Sequence, residues 1–199
     1  MIVLGLGISR KETKKIHNFL NSQEKFIFDY ESDLEKISWY DSENIVINRI
    51  EQLENRLYKN TKSENSFTAT GDVGFYFLPY IELLLNNFPY LKIISTKKSK
   101  KKTFVDVMSD IETKNSFLSR LFMFKKRYKN HWINHNGSNW EKDFQLDKCY
   151  PKFNVKNLDS SINSYIEMYI FELKKIQKKY PNNIKVFFSD ELDSEYGKK

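Results

Sequence analysis

Short apolar runs alternate with longer stretches whose apolar residues recur every three or four positions, and this alternation constrains the fold more than any other feature. Runs of that length suit buried strands, and the three-and-four spacing gathers apolar side chains on one helical face. The chain opens with the run 1–7, Met-Ile-Val-Leu-Gly-Leu-Gly, followed by a helical stripe at Ile16, Phe19 and Leu20. A strand over 25–29 precedes a helix over 44–57, with Ile45, Ile47, Ile50, Leu53 and Leu57 apolar and Glu51, Glu54 and Arg56 directed outward. A strand over 67–70 ends at Gly71-Asp72-Val73-Gly74, read as a break, and a helix over 75–87 follows. The next apolar run starts at Tyr90, gives way to Lys97, Lys98, Ser99, Lys100, Lys101 and Lys102, and resumes as a stripe at Phe104, Val107, Met108 and Ile111. Helices over 116–129 and 158–179 and a last strand over 184–188 complete the pattern. Strand, helix and strand in repeated order predict a three-layer α/β fold, with a central, mainly parallel sheet of four or five strands flanked by helices. The 199 residues read as one domain without repeat or linker.

Composition narrows the partners. Hydrophobic residues at 40% and aromatics at 16% argue for a packed globule. A formal charge of +7 points to an acidic partner without distinguishing nucleic acid, membrane or a small polyanion. Cys149 is the only cysteine, so no intrachain disulfide can form and a reducing compartment is expected. The opening run is too short, and lacks the basic flank, for a signal peptide; no apolar run reaches membrane-spanning length. The expectation is a cytoplasmic protein without a membrane partner.

Two stretches carry anion chemistry. The opening strand runs through Gly5-Leu6-Gly7 into a helix, a generic phosphate-cradling order that matches neither the dinucleotide fingerprint nor a Walker A loop. The lysine turn at 97–102 again sits between a buried strand and a helix N-terminus, where free N–H groups and the helix dipole favour an anion. In parallel sheets ligands bind beyond the carboxyl ends of the strands. Arg10, Glu31, Asp72 and Lys98 all fall just past strand ends, which places them in one expected cleft. Asp72 also suits a cap on the helix from Gly74. His131 and His135 stand four apart, but no intervening Glu and no third ligand is evident, so no metal is expected.

The order of these pieces resembles the P-loop-like sulfotransferase family, which uses 3′-phosphoadenosine 5′-phosphosulfate (PAPS), and is most similar to small microbial members. Two motifs carry the likeness: Gly71-Asp72-Val73-Gly74-Phe75-Tyr76-Phe77-Leu78-Pro79-Tyr80 and Leu146-Asp147-Lys148-Cys149-Tyr150-Pro151-Lys152. The family's phosphosulfate loop, Gly-x-Gly-Arg-x-Gly-Thr, falls on Gly7-Ile8-Ser9-Arg10-Lys11-Glu12-Thr13 and keeps Gly7, Arg10 and Thr13, with Ser9 and Glu12 at two glycine positions. Its 3′-phosphate Arg and Ser fall on Lys98 and Asp106. Lysine keeps the charge but loses the bidentate fork, and Asp106 reverses the expected chemistry. Its catalytic His-Glu falls on Tyr30-Glu31, and family members usually continue beyond the last strand here.

The resemblance implies sulfuryl transfer from PAPS to a hydroxyl or amine acceptor, such as a carbohydrate or small metabolite. It places Gly7, Ser9, Arg10, Lys11 and Thr13 around the donor phosphosulfate and Lys98 and Asp106 at the 3′-phosphate. Glu31 is then the base, and Asp72, Trp132, His135 and Trp140 lie on the acceptor side. Two other classes stay open. Glu12, Asp106 and the missing His favour a degenerate fold that binds nucleotide or a partner without turnover. A nucleic-acid binder is favoured only by net charge and lysine runs, without a groove- or base-reading motif.

Overall fold

The computed structural model describes residues 1–33, 36–40, 42–60, 66–115, 131–133 and 148–193. Five strands form one sheet: β1 (Ile2–Leu6), β2 (Phe26–Tyr30), β3 (Ala69–Val73), β4 (Lys92–Lys97) and β5 (Ile184–Phe188). All pairings are parallel and the order is β2-β3-β1-β4-β5. The helices are α1 (Arg10–Asn21), α2 (Glu43–Asn60), α3 (Ile81–Asn87), α4 (Lys100–Asn115) and α5 (Leu158–Lys179), with 3₁₀ turns at Phe75–Tyr80 and Ser189–Asp193. The expected three-layer α/β architecture is present.

Side-chain alternation along β1 divides the core. Ile2, Leu4 and Leu6 face one side, with Val46, Ile50 and Leu53 of α2, Leu84 of α3, Val107 and Ile111 of α4, and Ile162 and Tyr165 of α5. Val3 faces the other, against Ile16 and Leu20 of α1 and Leu192 of the last turn. Every residue of β1 is buried, as a central parallel strand covered on both faces requires.

Two expectations change. The strand drawn over 67–70 lies at Ala69–Val73, so Gly71 is inside it and not in a break. A Cβ at Gly71 would sit 1.7 Å from the Val3 carbonyl oxygen, so the glycine marks close approach of two backbones rather than a turn. The helix expected over 75–87 divides into a 3₁₀ turn and α3, because Pro79 has no N–H to continue a ladder. The two family-like motifs meet here: the Phe75 and Tyr150 rings stack at 4.8 Å, and Cys149 is fully buried with its Sγ donating to the Ile37 carbonyl.

The sheet order fixes where a ligand can sit. From β1 the chain leaves toward β2, and from the adjacent β4 toward β5, so their connections diverge and open a crevice at the carboxyl ends.

Candidate functional site

The loop after β1 turns into α1 at Ser9, whose extended backbone and Oγ, 3.3 Å from the Glu12 amide, make it the N-cap. Gly7 permits the close turn, since a Cβ there would lie 2.5 Å from the Thr13 amide nitrogen. The first turn of α1 then sends its side chains in two directions. Arg10 reaches toward β2, where its Nη2 lies 3.1 Å from Glu31 Oε2. Thr13 Oγ1 lies 3.2 Å from Glu31 Oε1 and 3.2 Å from the Tyr30 hydroxyl. Glu31 is 9% exposed and has a φ of 47°, a left-handed backbone that non-glycine residues rarely adopt and that recurs at functional positions. Burial opposes charge on Arg10, but the Glu31 carboxylate, with Tyr150 and Tyr30, holds its guanidinium above the ordinary value. Burial first, then Glu31, pushes the Tyr30 phenol up to about 12.

The other half of the turn faces β4. Lys98 Nζ lies 2.5 Å from Asp106 Oδ2 and 3.7 Å from Glu12 Oε1, and Lys11 Nζ lies 2.9 Å from Asp106 Oδ1. Burial works to raise Asp106, but Lys98 and Lys11 outweigh it and hold the carboxyl below the ordinary value. Glu12 is 2% exposed and accepts from Thr96 Oγ1 at 2.6 Å and Ser189 Oγ at 2.9 Å. Thus Arg10, Lys11 and Lys98 face Glu31, Asp106 and Glu12, three cations against three carboxylates. Ser9 and Glu12, which replace glycines in the family-like loop, respectively cap an amide donor and bring in a buried negative charge. The cavity beside Arg10, lined by Ile8, Ser9, Val107, Asp110, Trp132 and Tyr150, has a volume of about 20 Å³, room for one water-sized molecule.

Asp72 belongs to a separate cluster. It neither follows a strand end nor caps the helix from Gly74: it lies within β3, fully buried, and the 3₁₀ turn has no side-chain cap. Its Oδ2 accepts from Arg49 Nε at 3.1 Å and from Ser32 Oγ, while its Oδ1 has no hydrogen-bond partner. Arg49 also lies 2.8 Å from Asp33 and 2.5 Å from Asp29, and Arg56 holds both Asp29 oxygens at 3.0 and 2.9 Å. Burial raises Asp72 in spite of Arg49, whereas the two arginines hold Asp29 below the ordinary carboxylate value against its own burial.

Sequence reading missed Arg49 and turned Arg56 outward. The available signal was their spacing of seven, which keeps both on one face of α2 beside the buried stripe Val46, Ile50 and Leu53. Trp132 is 2% exposed and packs on Tyr150 and Tyr165, so all but an edge of it is core. His135 and Trp140, and the helix expected over 116–129, lie outside the described residues. Among the described residues no group of three or more His, Cys, Asp or Glu suits a metal ion, and no helix is long and apolar enough to cross a membrane.

The site is therefore a strand–turn–helix anion position whose cations carry internal carboxylate partners, beside a buried Asp–Arg network. No protein-family model matches this chain, and no curated protein matches it either.

Proposed function

We propose that this chain is a sulfotransferase-like protein that takes PAPS at the β1–α1 turn and passes its sulfuryl group to a hydroxyl or amine acceptor. The observation that carries this reading is the convergence of Arg10, Thr13 and Glu31 at the ends of β1 and β2, across α1 from Lys98 at the end of β4. Arg10 would neutralise charge developing on the bridging oxygen of the leaving group. Lys98 and Lys11, released from Asp106, would hold the 3′-phosphate. Glu31, fixed by Arg10 and Thr13, would take the acceptor proton. An acceptor of carbohydrate or small-metabolite size suits the reading, since the crevice at the carboxyl ends of a parallel sheet is where small ligands bind.

A second reading is favoured by a specific observation. Asp106 occupies Lys98 and Lys11, and buried Glu12 adds charge where an incoming phosphate would sit, so the same fold would bind a nucleotide or partner without turnover. Titration with 3′-phosphoadenosine 5′-phosphate (PAP), followed by transfer assays on Glu31→Gln, separates them. For the enzyme, PAP at about 100 times its Kd stabilises the fold by about 2.7 kcal/mol. Glu31→Gln then lowers transfer about 10²–10⁴-fold with PAP affinity retained. Binding without transfer in the native chain selects the second reading. Absence of any melting shift at millimolar PAP removes the first reading and leaves the second only as a partner-binding module.

A further inference from the structure

Ser32 sits one residue beyond Glu31, is exposed, and makes contacts that its neighbours on the surface do not. Its hydroxyl donates to Asp72 Oδ2, and its oxygen accepts from Arg49 Nη2 at 2.7 Å. Arg49 in turn holds the same Asp72 oxygen, with Nη2 at 3.0 Å and Nε at 3.1 Å. A hydroxyl next to a carboxylate that a third group orients is the arrangement of an activated nucleophile. Three features distinguish it from a serine that merely satisfies a surface aspartate. Asp72 is 0% exposed, its Oδ1 has no hydrogen-bond partner, and burial raises it, so the carboxylate is a stronger proton acceptor than a solvated one. Arg49 also donates to the Ser32 oxygen itself, where it would stabilise negative charge as the proton leaves. The reactive side of this dyad is open to solvent, whereas its base is not.

We propose that Ser32 is a covalent nucleophile, with Asp72 as its base and Arg49 as the residue that positions both, and that it accepts a sulfuryl group. The donor's identity rests on the reading above; the nucleophile does not. In the step, Ser32 Oγ bonds to the donor sulfur. The bond from sulfur to the bridging phosphate oxygen breaks, PAP leaves with that electron pair, and the Ser32 proton passes to Asp72. The product is a sulfate ester on Ser32, a modification of the chain next to its own donor turn. Glu31 is left for the external acceptor, so the two carboxylates serve two hydroxyls.

The groups facing Asp72 are Ser32 and Arg49 by direct contact, Asp29 and Asp33 through Arg49, and the Tyr76 ring, whose hydroxyl accepts from the Asp33 amide. Asp72 is fully buried and its carboxyl is raised by that burial, so its titration appears as a pH profile whose midpoint lies above its ordinary value.

The test has two arms. In the first, the folded chain is treated with diisopropyl fluorophosphate, which loses fluoride to a nucleophilic hydroxyl and needs no sulfuryl donor. One equivalent is expected on Ser32 by peptide mass spectrometry. It is absent from Ser32→Ala, which removes an exposed side chain and leaves the core intact, and from the urea-unfolded chain. Asp72→Asn slows labelling about 100-fold or more, the low end of what a general base contributes. If that variant does not fold, the pH profile of the native chain carries the same information, labelling falling as Asp72 takes up its proton. In the second arm, PAPS is added and the mass of Ser32 peptides is followed alongside PAP titration. A sulfuryl adduct on Ser32 supports the step. Labelling by the fluorophosphate without PAP binding keeps the nucleophile and discards the donor reading. PAP binding with Ser32 inert to both reagents overturns the inference and leaves the donor reading standing.

Discussion

The two charged clusters at the carboxyl end of the sheet use the same chemistry but differ in how their leading cations, Arg10 and Lys11 against Arg49, meet solvent. Around the β1–α1 turn, the Lys11 and Arg10 side chains are 63% and 40% exposed, whereas Lys98, at 17%, and the carboxylate partners are covered. Around β3, Arg49 is 12% exposed and Asp72 0%. A half-exposed cation can exchange an internal carboxylate for a ligand's phosphate, because solvent screens each state and little is lost in between. A buried arginine cannot leave a buried aspartate without stranding a charge. The first cluster is thus suited to exchange, and the second to holding geometry. The donor therefore belongs to the turn in the proposed function, and Arg49 has a positioning role.

The largest expected effect tests the buried side. Arg49→Ala should cost about 3 kcal/mol of stability, the low end for breaking a buried pair, because Asp72 can relieve itself by taking up a proton. Chemical denaturation measures it; a loss below about 1 kcal/mol, the ceiling for a surface pair, would erase the contrast between the clusters.

The turn offers a smaller effect of opposite sign on binding. A carboxylate about 5 Å from a phosphate charge is repelled by about 3 kcal/mol at an effective dielectric of 20, before screening. Asp106→Ser removes that repulsion and frees Lys98 and Lys11, and with screening PAP should bind about tenfold tighter, about 1.4 kcal/mol. Calorimetric titration at fixed salt reads this directly. Unchanged or weaker affinity would mean the lysines serve Asp106 and not a ligand.

Acid titration gives the smallest effect and separates Asp106 from Asp72 by sign. Asp106 is held below its ordinary 3.8, so its contribution is present above that value and is lost as pH falls through the lower, folded-state value. Asp72 is raised above 3.8, so its contribution is full below the ordinary value and is lost as pH rises through the folded-state one. Asp106→Asn should flatten the loss of stability on acidification from pH 5 downward, whereas Asp72→Asn should flatten the change on the way up from acid. The same response from both variants would show that burial does not set Asp72 apart from Asp106.

Much of the framework is legible in sequence. The helix over 158–179 and the strand over 184–188 have the bounds that periodicity gives them, Leu158–Lys179 and Ile184–Phe188. The lysine run extends from the end of β4 into the first turn of α4, with Lys98 and Ser99 between them, and Val107 and Ile111 are buried as the stripe requires. Less of the site is legible. Arg10, Glu31 and Lys98 follow strand ends as expected while Asp72 lies inside β3, but nothing in their spacing says that Arg10 will take Glu31 or that Lys98 and Lys11 will share Asp106. Ser32, Arg49 and Asp29 gave no motif at all, since their meeting depends on α2 lying over β2 and β3.

The sequence by itself determined the order and type of the elements, because apolar periodicity is local: a residue's face on a strand or helix depends on neighbours two to four positions away. Only the tertiary structure decided which charges neutralise which. Lys11 and Asp106 are 95 positions apart and Ser189 and Glu12 177, and such contacts follow from the strand order β2-β3-β1-β4-β5. That order also turned Gly71 from an apparent break into a strand residue, since the Val3 carbonyl that excludes a side chain there comes from the neighbouring strand.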